Sequence, residues 1–215
     1  MRPLEEEKLA AMWGTTWLRQ AGYQEEAALE VSSDAPVATW LWNITQVRAG
    51  AEILVPLRPE AEGACLARLP PEAVLIAKGC AMMTMRAGRA QKIGFTAAET
   101  RARRIVSLEE REAGRAQLVV KDFEGDDGGA ATAAKTGGGR PNAAEYQNAA
   151  EYRGRVGRDG ALIECRWGDQ PCGEFSCASP VARSGGRKRV LWKTTLCAFS
   201  GRTEEIRALA TRILS

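Results

Sequence analysis

Between Gly125 and Pro141 the chain holds six glycines, several alanines and almost no large side chain. Such a stretch cannot bury enough apolar surface to offset the entropy of ordering it, so it reads as a flexible linker. It therefore limits what the 215 residues can fold into. Packed structure is expected in residues 1–124 and in residues 149–215, with residues 125–148 joining them. Inside the join, Asn142–Tyr146 (Asn-Ala-Ala-Glu-Tyr) recurs at Asn148–Tyr152. A six-residue period shown twice is too short for a solenoid, and no function is assigned to it.

The first part reads as an α+β module. Leu4 to Arg19 has Leu9, Met12, Trp13 and Trp17 at helical spacing, so an amphipathic helix with both tryptophans facing a core is expected. Pro36 to Ile44 alternates as a strand, with Ala38, Trp40, Trp42 and Ile44 on one face. Glu52 to Leu57 reads as its return strand. Ala73–Ile76 and Ala81–Met85 read as short strands flanking Gly79. The charged segment Ala97–Ala113 reads as a helix ending at Gly114, and Ala116–Phe123, with Leu118, Val119 and Val120, as a strand.

Composition removes several kinds of chemistry. The chain has no histidine, which excludes the commonest general base, the Ser-His and Cys-His nucleophile pairs, and every zinc site that needs an imidazole. Cys165, Cys172, Cys177 and Cys197 lack the close Cys-x2–4-Cys pairing of compact zinc sites except at the middle step, and they read as small core residues. Gly137-Gly138-Gly139-Arg140 lacks the Gly-Lys-Thr ending of a phosphate loop, so it reads as linker. The acid pairs Glu109-Glu110 and Asp126-Asp127 read as solvated. No metal, cofactor or catalytic residue is expected. There is no apolar run of membrane-spanning length, and the acidic start Glu5-Glu6-Glu7 resembles neither a secretory signal nor a transit peptide. The expectation is a cytoplasmic protein with reduced thiols.

The formal net charge is only +3, but its distribution is uneven. From Arg153 to Arg202 there are ten Arg or Lys against four acids, so the basic part is suited to a negatively charged partner. Within it, Gly154–Gly160 forms a glycine-rich turn, Ala161–Trp167 and Gly173–Ala178 read as strands, and a basic loop from Arg183 to Arg189 leads into the strand Val190–Phe199. Thr203 reads as an N-cap, with Glu204 and Glu205 in the first turn of a helix. Ile206, Leu209, Ala210, Ile213 and Leu214 form that helix's apolar stripe. Strands followed by a helix in this order fit the first half of an OB-fold.

These elements resemble the bacterial single-stranded DNA-binding protein family over residues 152–214. The Gly154–Gly160 turn is similar to that family's first hairpin and Glu174-Phe175-Ser176-Cys177-Ala178 to its next strand. Trp192 followed by Phe199, Gly201 and Glu205 is similar to its tryptophan strand and helix, with one extra residue between Trp192 and Phe199. The resemblance implies a mainly β fold with some α, an OB-like barrel in the C-terminal part, and non-enzymatic binding of single-stranded nucleic acid, DNA favoured, in a homo-oligomer. It implies that Trp192 and Phe199 stack on bases, with Trp167 at a place that is often aromatic. Stacking on a ring is worth about 1–3 kcal/mol per base, and a groove of cations adds a salt-dependent term. The cations that interleave with these rings are Arg155, Arg158, Arg166, Arg187, Lys188, Arg189 and Lys193.

The family's barrel continues past the helix with two more strands, whereas this sequence ends at Ser215, and the family's acidic tail is missing. Strands from the first part, Ala73–Gly88 and Ala116–Phe123, are therefore expected to complete the barrel as a circular permutation, unless another chain does so. Two other functions stay open. An OB-like assembly module would bury Trp192 and touch protein partners, with residues 1–124 as a further partner surface. Single-stranded RNA offers the same bases to the same rings.

Overall fold

The computed structural model describes residues 1–39, 42–48, 50–59, 74–77, 79–84, 91–96, 100–125, 160–165, 172–178 and 182–215. These are mainly β, with two helices. In chain order the elements are β1 (Arg2–Pro3), α1 (Glu6–Trp13), β2 (Arg19–Thr39), β3 (Trp42–Arg48), β4 (Glu52–Pro56), β5 (Val74–Ala77) and β6 (Cys80–Thr84). They continue with β7 (Gln91–Thr96), β8 (Arg104–Glu112), β9 (Arg115–Gly125), β10 (Gly160–Cys165), β11 (Cys172–Ala178), β12 (Ala182–Arg202) and α2 (Thr203–Leu214). The larger sheet has the order β1-β2-β12-β9-β8-β4-β6-β5 and the smaller β3-β11-β10-β7. Every strand pair in both is antiparallel.

The C-terminal segment is completed from the first part of the chain. β12 lies between β2, from Ala182↔Thr39 to Ser200↔Arg19, and β9, from Trp192↔Gly125 to Arg202↔Arg115. Both neighbours precede the glycine-rich stretch. Of the two segments expected to pair here, Ala116–Phe123 does so within β9, whereas Ala73–Gly88 supplies β5 and β6, which pair with each other and with β4, and β2 takes the other edge of β12 instead. The stretch itself, from residue 126 on, and the Asn-Ala-Ala-Glu-Tyr repeat lie outside the described residues.

One long ribbon joins the two sheets. β2 and β12 pair as far as Thr39↔Ala182, and the same two lengths of chain pair again as β3 and β11 from Trp42↔Ala178. The register is irregular between Ser184 and Gly186, opposite Val37 and Ser33. Pro36, which has no N–H to give a ladder, and the glycine pair Gly185-Gly186 both fall there. The ribbon folds over at this point, since the Asn43 amide donates to Glu25 at 2.8 Å and the residue midway between them is Asp34. Bulges are how strands turn from one packed sheet into another.

Both helices cover the same face of the larger sheet. Leu118 and Val120 of β9 and Cys197 and Phe199 of β12 point to it because directly opposed residues share a face, and Ile206, Leu209, Ala210 and Ile213 of α2 pack there with Leu9 of α1. Each Leu, Ile, Val or Phe among them contributes roughly 1.5–3 kcal/mol on burial. The stripe expected for α2 is therefore the one that packs, with Leu214 half-buried at its end. In α1, Leu9 and Trp13 pack inward, but Met12 and Trp17 are exposed, Trp17 by 60 %. The helix ends at Gly14, whose φ of 59° suits glycine, and Trp17 falls in the turn beyond it. This corrects the expectation that both tryptophans are core.

Three further expectations change. Residues 104–112 of the expected Ala97–Ala113 helix form β8, which pairs with β9 on one side and β4 on the other. Ile105, Val106, Ser107 and Leu108 are buried in succession because a central strand is covered on both faces. β4 is a strand as expected, but it returns against β6 and β8 instead of against the strand before it. The cap of α2 is Arg202, not Thr203. The Arg202 backbone is extended, and its N–H donates to the Glu205 carboxylate at 3.1 Å, while the Thr203 N–H is taken by the Gly114 carbonyl at 3.0 Å.

Candidate nucleic-acid interface

The residues expected to hold a ligand converge on β12, and the ladder settles where their side chains can go. Pairing on both edges leaves β12 two faces. Phe199 falls on the face under the helices. It is 1 % exposed and meets Trp13 edge-on, with ring centroids 6.3 Å apart at 83°. Trp192 falls on the opposite face, where it is 4 % exposed and stacks on Phe123 at 5.8 Å and 26°. Its indole Nε1 has no hydrogen-bond partner among the described residues. Neither ring offers a face to a base, so the expectation that Trp192 and Phe199 stack on bases is corrected: both serve the core. β12 is flanked by strands all along its aromatic half, and such a strand has no open face for rings that the packed layers on either side can bury.

The expected basic loop is also corrected. Arg183, Arg187, Lys188 and Arg189 belong to β12 itself, and the last three stand opposite Ser32, Val31 and Glu30 of β2. Lys193 stands opposite Glu26 and its ammonium lies 3.6 Å from the Glu124 carboxylate, at a half-exposed position. Arg155, Arg158, Arg166 and Trp167 lie outside the described residues. The cations that share one strand are thus Arg183, Arg187, Lys188 and Arg189, on the outer stretch where β12 pairs with β2 alone among the described strands, and Lys193, which stands between Glu26 of β2 and Glu124 of β9.

The structure adds polar features that the sequence reading missed. Lys121 of β9 is 1 % exposed, and its ammonium donates to the Asn43 carbonyl at 3.1 Å and to the Thr45 hydroxyl at 2.9 Å, both on β3. Burying a charge is costly unless hydrogen bonds replace its water, so this lysine fixes the smaller sheet over the larger one. The signal was visible: a lysine inside the apolar run Leu118–Phe123. On the helix face, Arg104 grips Asp122 through two bonds of 2.6 and 2.9 Å, donates to the Ile213 carbonyl at 3.1 Å and lies 4.7 Å over the Trp13 ring. Arg212 reaches the Trp13 carbonyl. These contacts tie both helices to the sheet.

Cys197 lies in the helix-face core, where burial foremost, with Asp122 adding to it, pushes its thiol up to about 11. It is a thiol at neutral pH, which suits neither a nucleophile nor a metal ligand. Among the described residues no group of three or more metal-ligating side chains comes together, and no helix is long and apolar enough to cross a membrane. Trp17 is largely open.

No family model, curated protein or solved structure matches the chain.

Proposed function

We propose that this protein binds single-stranded nucleic acid, with DNA favoured, and that it holds the strand mainly through its phosphates. The observation that carries this reading is that Arg183, Arg187, Lys188, Arg189 and Lys193 all lie on β12, the first four where it pairs with β2 alone among the described strands. A phosphate backbone is a regular line of negative charge, and a basic strand tracks it without reading sequence. The order β10, β11, β12, α2 and the resemblance across residues 152–214 support the same reading and an OB-like arrangement. Trp192 and Phe199 have no part in it as stacking platforms.

A second reading, an assembly module that binds protein, is favoured by one observation. Glu26 and Glu30 of β2 face Lys193 and Arg189 across the ladder, which lowers the net charge that a phosphate backbone would meet. Fluorescence anisotropy of a labelled oligo(dT) at two salt concentrations separates the two. On the first reading the oligonucleotide binds, and neutralising Arg187, Lys188 and Arg189 together to Gln flattens the slope of log affinity against log salt by about 2, at roughly 0.7 per phosphate contact. Absence of binding at low salt would leave the assembly module. A matched RNA strand in the same titration tells ribose from deoxyribose as the preferred ligand.

A further inference from the structure

Where β3 crosses the inner face of β8 and β9, the two sheets leave an open cleft of about 350 Å³. It is lined by Gln46 and Arg48 from β3, Ser107, Glu109 and Arg111 from β8, and Gln117 from β9. The charged groups in it are two guanidiniums and one carboxylate, a net excess of one positive charge.

What decides its ligand is which polar atoms are already used. The Glu109 carboxylate is only 14 % exposed, and it takes Arg111 at 3.2 Å and Arg48 at 3.9 Å. The Gln117 carbonyl oxygen accepts two bonds from Arg111, from Nε at 3.0 Å and from an amino nitrogen at 2.5 Å. The strong acceptors are therefore satisfied within the wall. Donors are left over. Arg48 lines the cleft and is 71 % exposed, its Nε lies 3.9 Å from the Glu109 carboxylate, and its amino groups make no hydrogen bond among the described residues. The Gln117 amide nitrogen likewise makes no hydrogen bond there. A cleft whose unspent groups are donors on a positive wall is complementary to an oxyanion, and guanidinium forks suit the oxygens of phosphate.

We infer that this cleft holds a phosphate group. Resting on the function proposed above, that phosphate belongs to the backbone of the bound strand, whose path then runs past Arg48 and Arg111 as well as along the β12 ribbon. Arg48 is the group to test, because its exposure means that Arg48→Gln does not disturb the fold, and Lys8→Gln, at an exposed site on α1, serves as the control for a general loss of positive charge. The readouts are oligo(dT) anisotropy across a salt series and thermal stability with inorganic phosphate.

The expected result is that Arg48→Gln keeps the wild-type melting temperature, lowers oligo(dT) affinity several-fold at low salt and flattens the salt slope by about 0.7, the value of one phosphate contact, while Lys8→Gln changes neither. If the wild type binds oligo(dT) and Arg48→Gln binds it with the same affinity and slope, the cleft assignment is overturned and the proposed function survives. If the wild type ignores oligo(dT) but inorganic phosphate raises its melting temperature and not that of Arg48→Gln, the cleft is a site for a free phosphate and the nucleic-acid reading is overturned. If neither probe acts on the wild type, both are overturned.

Discussion

Trp192 and Lys121 show how far a single residue can be read before its neighbours are known. A tryptophan beside a run of cations suits a base-stacking platform and a buried core ring equally well, and only the partner across the ladder separates them: Phe123 lies against Trp192 and closes its face. Lys121 could have been picked out of its apolar strand, but its partners, Asn43 and Thr45, are 78 and 76 residues away, a separation at which sequence says nothing of contact. Cys197 gives a prediction at this scale. Its folded pKa, about 11, lies above the ordinary thiol value of 9.0 because burial disfavours the thiolate. A raised value means that the contribution to stability is full below pH 9.0 and is lost as pH rises through 11. Site-resolved alkylation at pH 8 is expected to leave Cys197 unmodified in the folded protein and to label it once the protein is unfolded in urea. Rapid labelling of the folded protein would contradict its place in the core.

At the scale of elements, legibility followed how local the cause was. The stripe of α2 and the hairpin of β5 and β6 around Gly79, whose φ is 71°, were readable because the periodicity and the turn residue lie within the element. β8 was not. Its charged ends, Arg101 to Arg104 and Glu109 to Glu112, are good helix formers, and the strand exists because β9 and β4 pair with it on both edges. Pairing of that kind overrides local propensity. The cap of α2 was missed for a related reason: Arg202 is a poor cap by residue type, and it works because Glu205 reaches back to its N–H at 3.1 Å and to its guanidinium at 2.8 Å. These bonds hold the Glu205 carboxyl below the usual carboxylate range, the side-chain bond from Arg202 being the largest cause. A lowered pKa contributes stability above the ordinary value, near pH 4.3, which fades as pH falls through the lower folded value. Glu205→Gln is therefore expected to lower the melting temperature at pH 7 and to have a smaller effect at about pH 3. An equal decrease at both pH values would show that the carboxylate charge has no part in the cap.

Across the whole molecule, the organising element is β12. It takes β2 on one edge and β9 on the other, carries Phe199 into one layer and Trp192 into the other, and continues beyond β9 as the ribbon that bears the cations. That a strand of the first part, Ala116–Phe123, pairs with the last part was legible, whereas the pairing of β2 with β12 was not. Nor was the fold-over of the ribbon, because Pro36 and Gly185-Gly186 mark the irregularity at Ser184 and Gly186 but not which two strands pair across it. β12 thus carries rings that hold the fold and the cations proposed to hold the strand. The measurement that tests this most directly compares Trp192→Phe with the Arg187, Lys188 and Arg189 to Gln variant, recording melting temperature and oligo(dT) affinity for each. Trp192→Phe is expected to lower the melting temperature and leave affinity unchanged while folded, and the charge variant to keep the melting temperature and lose affinity. A Trp192→Phe protein of unchanged melting temperature that binds oligo(dT) tenfold more weakly, about 1.4 kcal/mol, would contradict it, since that is the mark of a ring stacked on a base.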